Sequence, residues 1–229
     1  MEKFLSAVDS SNLWSKTYAT LKDNIIKRHF KPNQKILINE VAKQLKVSRT
    51  PVRDALNRLE MEGLVWTEPK VGTFVVPIDE KLINCAIDTR LMIELWVVEK
   101  LPNLPQERID NGIHNMKILL NNAESDYDKD FKTYHELDYN LKFHMEYVKI
   151  GGNYKNDEIY RSILNYRLPV TIPKHVLDDE VEKAIRQHRD ILDSLSSADY
   201  LKLREKITFH LEESRINIIK KIRKNGGEI

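Results

Sequence analysis

The spacing of apolar residues predicts three short helices at the start of the chain. Between residues 14 and 30, WSKTYATLKDNIIKRHF, apolar side chains recur at near-helical period, and Lys31-Pro32-Asn33 then ends the helix because proline cannot continue it. Residues 38–45 form a second short helix with its apolar side inward. A third helix begins after Ser48, a good N-cap whose hydroxyl is expected to cap an orphan amide, and ends before Gly63.

The next stretch, LVWTEPKVGTFVVP, breaks the helical period. Val65 and Thr67 alternate, the segment 73–76 is β-branched and aromatic, and the turn 70–72 between them predicts the tip of a hairpin. Two helices, a turn, a third helix and a hairpin make a winged helix-turn-helix with a two-stranded wing. In that fold the second helix of the turn motif enters the major groove of DNA.

From Asp79 onward the pattern is helical throughout, which predicts a bundle of six to seven helices. The fold class is therefore mainly α, with a winged helix-turn-helix over residues 1–78 and an all-α bundle over residues 79–229. The predicted helices of the bundle are 80–100, 106–123, 128–149, 154–168, 178–195 and 199–223.

The amino-acid composition argues against a membrane-spanning, secreted or disulfide-stabilised protein. The 229 residues are 41% hydrophobic and 31% charged, and no apolar run approaches the roughly 20 residues of a membrane span. The N-terminus lacks an apolar core of signal-peptide length, and the single cysteine, Cys85, excludes an internal disulfide framework. We expect a cytoplasmic protein without a membrane partner.

The net charge of +2 hides an asymmetry along the chain. Residues 1–78 carry 13 basic and 8 acidic side chains, whereas residues 79–229 carry 24 basic and 27 acidic ones. A basic first part and a mildly acidic second part indicate two domains with different partners.

Polar and cationic residues collect at the start of the third helix. Arg49 and Arg53 are four residues apart, and arginine either reads guanine with two hydrogen bonds or clamps phosphate. Ser48 and Thr50 add hydroxyls where free helical amides already favour phosphate, and Lys70 at the hairpin tip can reach the backbone or minor groove. The alternative is an ordinary solvated basic face.

The run VSRTPVRDALNRLEMEGLV, followed by KVGTFV, resembles the DNA-binding domain of GntR-type bacterial transcription regulators over residues 14–78. One position departs from the family pattern, because Asn39 stands where the helix before the turn often carries a DNA-contacting arginine. The resemblance implies operator contacts at Ser48, Arg49, Thr50 and Arg53, and a wing glycine at the minor groove, Gly72.

Three histidines share helical faces with apolar residues in the second part of the chain. His144, His188 and His210 each point inward by this spacing, and Asn140 lies one turn before His144 on the same face. Together they suit a divalent transition metal with coordination positions left open for water or a ligand. The alternative is three core histidines, each bonded to a backbone carbonyl.

The segments NLKFHMEYVKIGGN and QHRDILDSLSSADYLKLREKITFHL resemble the FCD ligand-binding domain of the FadR branch of GntR regulators. The resemblance implies that Asn140, His144, His188 and His210 are the metal ligands. We expect a divalent transition metal there, zinc with nickel or manganese as alternatives. Asn140 replaces the usual aspartate, so the site has one negative charge fewer, and Gln187 replaces a common glutamate.

Two arginines are candidates for binding an effector. Arg90 matches a recurrent arginine in the first helix of the FCD domain, where it either pairs with a ligand carboxylate or pairs with Glu94 on its own helix. Arg167 is a second candidate.

These observations predict a homodimeric, metal-dependent repressor or activator controlled by a small organic acid, and not an enzyme. Two recognition helices are needed to read a pseudo-palindromic operator in double-stranded DNA. One alternative is the same regulator with a metal-free anion pocket. Another is a three-histidine metal hydrolase fused to a DNA-binding domain, although no general base such as H-E-x-x-H is evident.

Overall fold

The computed structural model describes residues 11–27, 29–129, 139–163 and 174–228. The chain divides into two compact units, with the boundary between Ile78 and Asp79. Among the described residues, no helix has an apolar stretch suited to crossing a lipid bilayer.

The first unit contains the three predicted helices: α1 (Ser11–Ile26), α2 (Ile38–Leu45) and α3 (Arg49–Met61). Helix α1 ends earlier than predicted, because the amide of His29 reaches back to the carbonyl of Asn24 at 3.0 Å. The apolar sides of the helices form one core, whose members include Leu21, Ile25, Val52, Leu56 and Leu59.

The wing contains one strand more than predicted. Strands β1 (Lys35–Ile36), β2 (Val65–Glu68) and β3 (Gly72–Val75) form an antiparallel sheet in the order β1-β3-β2. The predicted hairpin is present, with Glu68 paired to Gly72 across its tip. A strand of two residues is too short to show an alternating pattern, which explains why the sequence did not predict β1.

In the second unit the described residues form six α-helices, which confirms the mainly α fold class. Helix α4 begins after Asp79, whose side chain accepts a hydrogen bond from the amide of Leu82 at 2.7 Å. A short 3-10 turn, Leu101–Asn103, separates α4 from α5 and lies in the gap between the predicted helices 80–100 and 106–123. The six helices are α4 (Glu80–Lys100), α5 (Gln106–Lys129), α6 (Tyr139–Ile150), α7 (Tyr154–Ile163), α8 (Lys174–Ser196) and α9 (Tyr200–Lys224).

Two of the predicted helices, 128–149 and 154–168, extend into residues 130–138 and 164–173, which lie outside the described residues. Helix α4 packs against α6, α7 and α9, and α8 packs against α5 and α9. Helices α5 and α6 approach closely at Gly112, where a Cβ atom would lie 2.3 Å from Ile150. This packing places the inner faces of α4, α6, α8 and α9 around a common interior.

Candidate DNA-binding surface and metal centre

Helix α3 has one buried side and one polar side. Val52, Leu56 and Leu59 on the buried side are at most 3% exposed. The four polar residues singled out at the start of the helix are all exposed: Ser48, Arg49, Thr50 and Arg53. The helix therefore presents these side chains to a partner outside the domain.

The arginines of α3 differ in whether they have a partner within the protein. Arg58 binds Glu62 at 3.1 Å and lies over the ring of Tyr18 at 4.1 Å. Arg49 and Arg53 form no hydrogen bond or ion pair with any residue that the structure describes. Their guanidinium groups thus remain available to bases or phosphates.

Ser48 occupies the N-cap position of α3, but its side chain makes no capping hydrogen bond. The expected capping by its hydroxyl is therefore wrong. The backbone of Ser48 is extended and its side chain is exposed, so the hydroxyl remains available beside the first amides of the helix. Asn39, in the first turn of α2, is also exposed.

The tip of the wing presents a cation in a left-handed backbone conformation. Lys70 has a φ of 64° and is exposed, in a turn closed by a hydrogen bond from the amide of Val71 to Glu68. Gly72 leaves room for a second cation, Lys35, whose Cε would lie 2.5 Å from a Cβ at position 72. Sequence reasoning missed Lys35, because only the pairing of β1 with β3 brings it to the wing.

Three imidazoles from three different helices meet inside the second unit. His144 on α6, His188 on α8 and His210 on α9 are each at most 3% exposed. The Nε2 atom of His144 lies 3.0 Å from that of His210 and 3.2 Å from that of His188. One ring nitrogen from each residue lies within 4.8 Å of a ring nitrogen of each of the other two.

Two of these imidazoles have a partner behind them. The Nδ1 atom of His144 lies 3.0 Å from a carboxylate oxygen of Glu94, which is fully buried on α4. The Nδ1 atom of His210 lies 2.7 Å from the amide oxygen of Gln187. An oxygen acceptor behind Nδ1 places the ring proton there, so both rings direct an Nε2 lone pair toward the centre.

The electrostatic surroundings keep the three rings neutral. Burial lowers the pKa of His144, His188 and His210 well below the usual value, and the positive charge of Arg90 lowers each pKa further. Two lone pairs facing each other at 3.0 Å repel unless a cation or a shared proton lies between them. Nitrogens bound to one tetrahedral zinc ion at about 2.0–2.1 Å lie roughly 3.3 Å apart, so the donor set fits such an ion.

Arg90 belongs to a buried network with Glu94 and Tyr160. Its Nε donates to the Tyr160 hydroxyl at 2.8 Å, its Nη2 lies 3.4 Å from Glu94, and the Tyr160 hydroxyl donates to Glu94. Burial raises the pKa of Glu94, and the Arg90 charge opposes this effect. Of the two roles considered for Arg90, the pairing with Glu94 is present, and effector binding stays a prediction.

The two remaining candidates do not join the cluster. Asn140 is exposed in the first turn of α6, so the structure does not bring it to the buried imidazoles as expected. Arg167 lies outside the described residues. The described part of the site thus supplies three nitrogen donors. The sequence predicted Glu94 only as a possible partner of Arg90 and not as a partner of His144.

A winged helix-turn-helix with exposed arginines on its recognition helix is typical of DNA-binding transcription regulators. Residues 13–75 match the bacterial regulatory proteins of the gntR family. The N-terminal domain belongs to that family, and the protein is a transcriptional regulator with a GntR-type DNA-binding domain.

Relatives support this assignment over most of the chain. An HTH-type transcriptional regulator of Streptomyces ambofaciens is 25% identical over 215 residues, covering 93% of this chain and 87% of the relative. The transcriptional repressor RspR of Escherichia coli K12 is 26% identical over 203 residues, covering 86% of this chain and 84% of the repressor. These relatives are regulators and not enzymes, in agreement with the prediction.

A solved structure shares the fold of both units. A GntR transcriptional regulator from Rhodococcus sp. RHA1 superimposes with a TM-score of 0.69 and 21% identity, covering 92% of this chain and 99% of that one. At this identity the likeness concerns the fold alone.

Proposed function

We propose that the protein is a homodimeric, FCD-type regulator whose affinity for operator DNA depends on a small carboxylate bound at a metal in the helical unit. The observation that carries this proposal is the buried trio of imidazoles with Nε2 atoms 3.0 and 3.2 Å apart. It is proposed to act in the cytoplasm on double-stranded DNA.

The DNA-binding unit reads the operator through α3 and the wing. Arg49 and Arg53 contact base edges in the major groove, where a bidentate arginine–guanine pair discriminates between bases. The other proposed contacts, to phosphates or the minor groove, set the register of the domain on the duplex: Ser48, Thr50, Asn39, Lys70 and Gly72. Ser48, Thr50, Asn39 and Lys70 are exposed and Gly72 is half-buried, which supports the assignment.

Two copies of α3 are needed to read a pseudo-palindromic operator, because half-sites lie about one helical turn apart, roughly 34–36 Å. A homodimer with twofold symmetry meets that requirement. We assign dimerisation to the helical unit, which leaves the recognition helices free for DNA.

The helical unit senses the effector. His144, His188 and His210 would hold zinc, with nickel or manganese as alternatives that also accept imidazole. The bound ion supplies positive charge and open coordination positions for a carboxylate, and Arg90 is proposed as a second anchor. The effector alters DNA binding only if it binds the DNA-bound and free states with different affinity.

Metal analysis tests the metal part of this proposal. We expect protein purified without chelators to contain about one divalent transition metal per chain, as a three-histidine site implies, and His188→Ala to contain little. His114→Ala, which alters an exposed histidine on α5, is the matched control and should retain the metal.

Operator binding tests the regulatory part. A duplex selected from random DNA by the wild-type protein is titrated by fluorescence anisotropy, with and without a chelator and with citrate as a carboxylate probe. We expect the chelator to abolish any response to citrate. A wild-type protein that contains no metal but responds to carboxylates would favour the metal-free anion pocket instead.

A further inference from the structure

A chain of polar contacts runs from the surface of the helical unit to His210. Lys183 on α8 binds Glu213 on α9, and Glu213 in turn accepts a hydrogen bond from the side-chain amide of Gln187. The amide oxygen of Gln187 lies 2.7 Å from Nδ1 of His210. Glu213 is 22% exposed and Lys183 is 49% exposed, whereas His210 is buried.

The order of these contacts determines which end of the Gln187 amide faces the histidine. An ionised carboxylate only accepts hydrogen bonds, so the amide nitrogen of Gln187 must face Glu213. The hydrogen bonds from Lys183 and Gln187, together with the charge of Lys183, hold the pKa of Glu213 below its usual value, which keeps this side chain ionised. The amide oxygen is consequently turned toward His210.

A carbonyl oxygen at hydrogen-bonding distance from Nδ1 requires a proton on Nδ1 when the imidazole is neutral. The lone pair of His210 then resides on Nε2, the atom that lies 3.0 Å from Nε2 of His144. We propose that Gln187, oriented by Glu213, is a positioning residue that sets the tautomer of His210 for metal binding. This inference rests on the proposed metal site.

The partner of His210 differs in kind from the partner of His144. Glu94 places a carboxylate directly behind His144, whereas Gln187 places a neutral amide behind His210 and keeps the Glu213 carboxylate one residue further out. Such outer partners change metal affinity by about 10–100-fold when they are removed. A simple surface ion pair between Lys183 and Glu213 would have no such effect.

The test removes the acceptor behind His210 and then restores it in a different form. Gln187→Leu deletes the acceptor, and we expect zinc affinity, measured by chelator competition, to fall about 10–100-fold. The double variant Q187E/E213Q exchanges the two groups, so that a carboxylate accepts from His210 and an amide donates to that carboxylate. We expect this variant to recover most of the lost affinity.

Gln106→Leu is the matched control, because Gln106 makes a similar contact to Asp110 at 2.8 Å on the exposed surface of α5. Its zinc affinity should equal that of the wild type. Circular dichroism melting curves establish that each variant is folded before its affinity is compared.

Nitrogen-15 spectra of the histidine rings supply a readout that does not depend on metal. We expect wild-type His210 to carry its proton on Nδ1 with and without zinc, the exchanged pair to keep this tautomer, and Gln187→Leu to lose the preference. Unchanged zinc affinity and tautomer in Gln187→Leu would overturn the inference and leave the metal proposal intact. A wild-type protein that binds no zinc would overturn the metal proposal and, with it, the role of Gln187 in metal binding. The ring spectra would still decide separately whether Gln187 sets the tautomer of His210.

Discussion

Arg49, Arg53 and Arg58 lie on the same helix but have different surroundings. Arg58 is held by Glu62 and by the ring of Tyr18, so its charge is already neutralised within the domain. Arg49 and Arg53 are exposed and have no partner among the described residues. At the residue scale, Arg49 and Arg53 are suited to binding DNA because neither has a partner among the described residues. Arg58 instead links α3 to α1 through the ring of Tyr18.

We predict that Arg49→Ala and Arg53→Ala will each weaken specific operator binding by roughly 1–3 kcal/mol, because each removes a bidentate contact to a base. Fluorescence anisotropy with the selected operator and with a scrambled duplex measures the effect. The exposed Arg186 on α8 supplies the control, Arg186→Ala, which should bind like the wild type. Unchanged operator binding in both α3 variants would refute their assignment.

At the element scale, Glu62 joins α1 to α3. It accepts hydrogen bonds from Tyr18 at 2.6 Å, from Lys22 at 2.6 Å and from Arg58 at 3.1 Å. Partial burial raises the pKa of Glu62, but the bonds from Lys22, Tyr18 and Arg58 outweigh burial and lower the pKa below its usual value. A carboxylate with a lowered pKa stabilises the fold above its unfolded-state pKa, and this stabilisation is lost as the pH falls through the folded-state pKa.

We therefore predict that Glu62→Gln will lower the free energy of unfolding at pH 7 by roughly 1–2 kcal/mol. The difference from the wild type should shrink as the pH falls below about 4.5, where the unfolded carboxylate becomes protonated. Urea denaturation at several pH values measures both effects. Glu68→Gln on the exposed end of β2 is the control, and an equal loss of stability in this variant would contradict the prediction.

Tyr160 joins α7 to α4 through a single hydroxyl. That group accepts from Arg90 and donates to Glu94, and the tyrosine side chain is completely buried. Removing one member of a buried hydrogen-bonded set leaves the others unsatisfied.

We predict that Tyr160→Phe will lower the free energy of unfolding by about 1–3 kcal/mol, because Arg90 and Glu94 each lose a buried partner. Thermal or urea denaturation measures the change. Tyr154→Phe, at the exposed start of the same helix, should have no effect. Equal stability of both variants would show that the network contributes little.

At the scale of the whole molecule, a metal ion at the proposed site would link four helices of the bundle. His144, His188 and His210 come from α6, α8 and α9, and Glu94 adds α4 behind His144. A ligand that binds only the folded state stabilises it in proportion to the logarithm of ligand concentration over Kd.

We predict that zinc will raise the melting temperature of the metal-free protein, with a gain of about 2.7 kcal/mol when free zinc is a hundred times its Kd. His188→Ala should lose the response and His114→Ala should keep it, as followed by circular dichroism. A wild-type melting temperature that is independent of zinc would argue against a resident metal.

The sequence alone determined the mainly α fold class, the winged hairpin and the inward direction of the three histidines. Each of these follows from local periodicity, because a residue's position around a helix or along a strand depends only on its near neighbours in the chain. The same rule identified Arg49 and Arg53 as outward-facing. It did not predict the side chain of Ser48 correctly, because Ser48 occupies the N-cap position of α3 but its hydroxyl makes no capping hydrogen bond.

Only the tertiary structure decided which side chains meet across elements. Glu94 reaches His144 fifty positions away, Gln187 and Glu213 meet between α8 and α9, and Lys35 reaches Gly72 through a strand of two residues. Asn140 shares the helix of His144 but remains exposed, which helical spacing did not predict. These outcomes depend on how whole helices and strands pack, and the periodicity of a single segment contains no information about that packing.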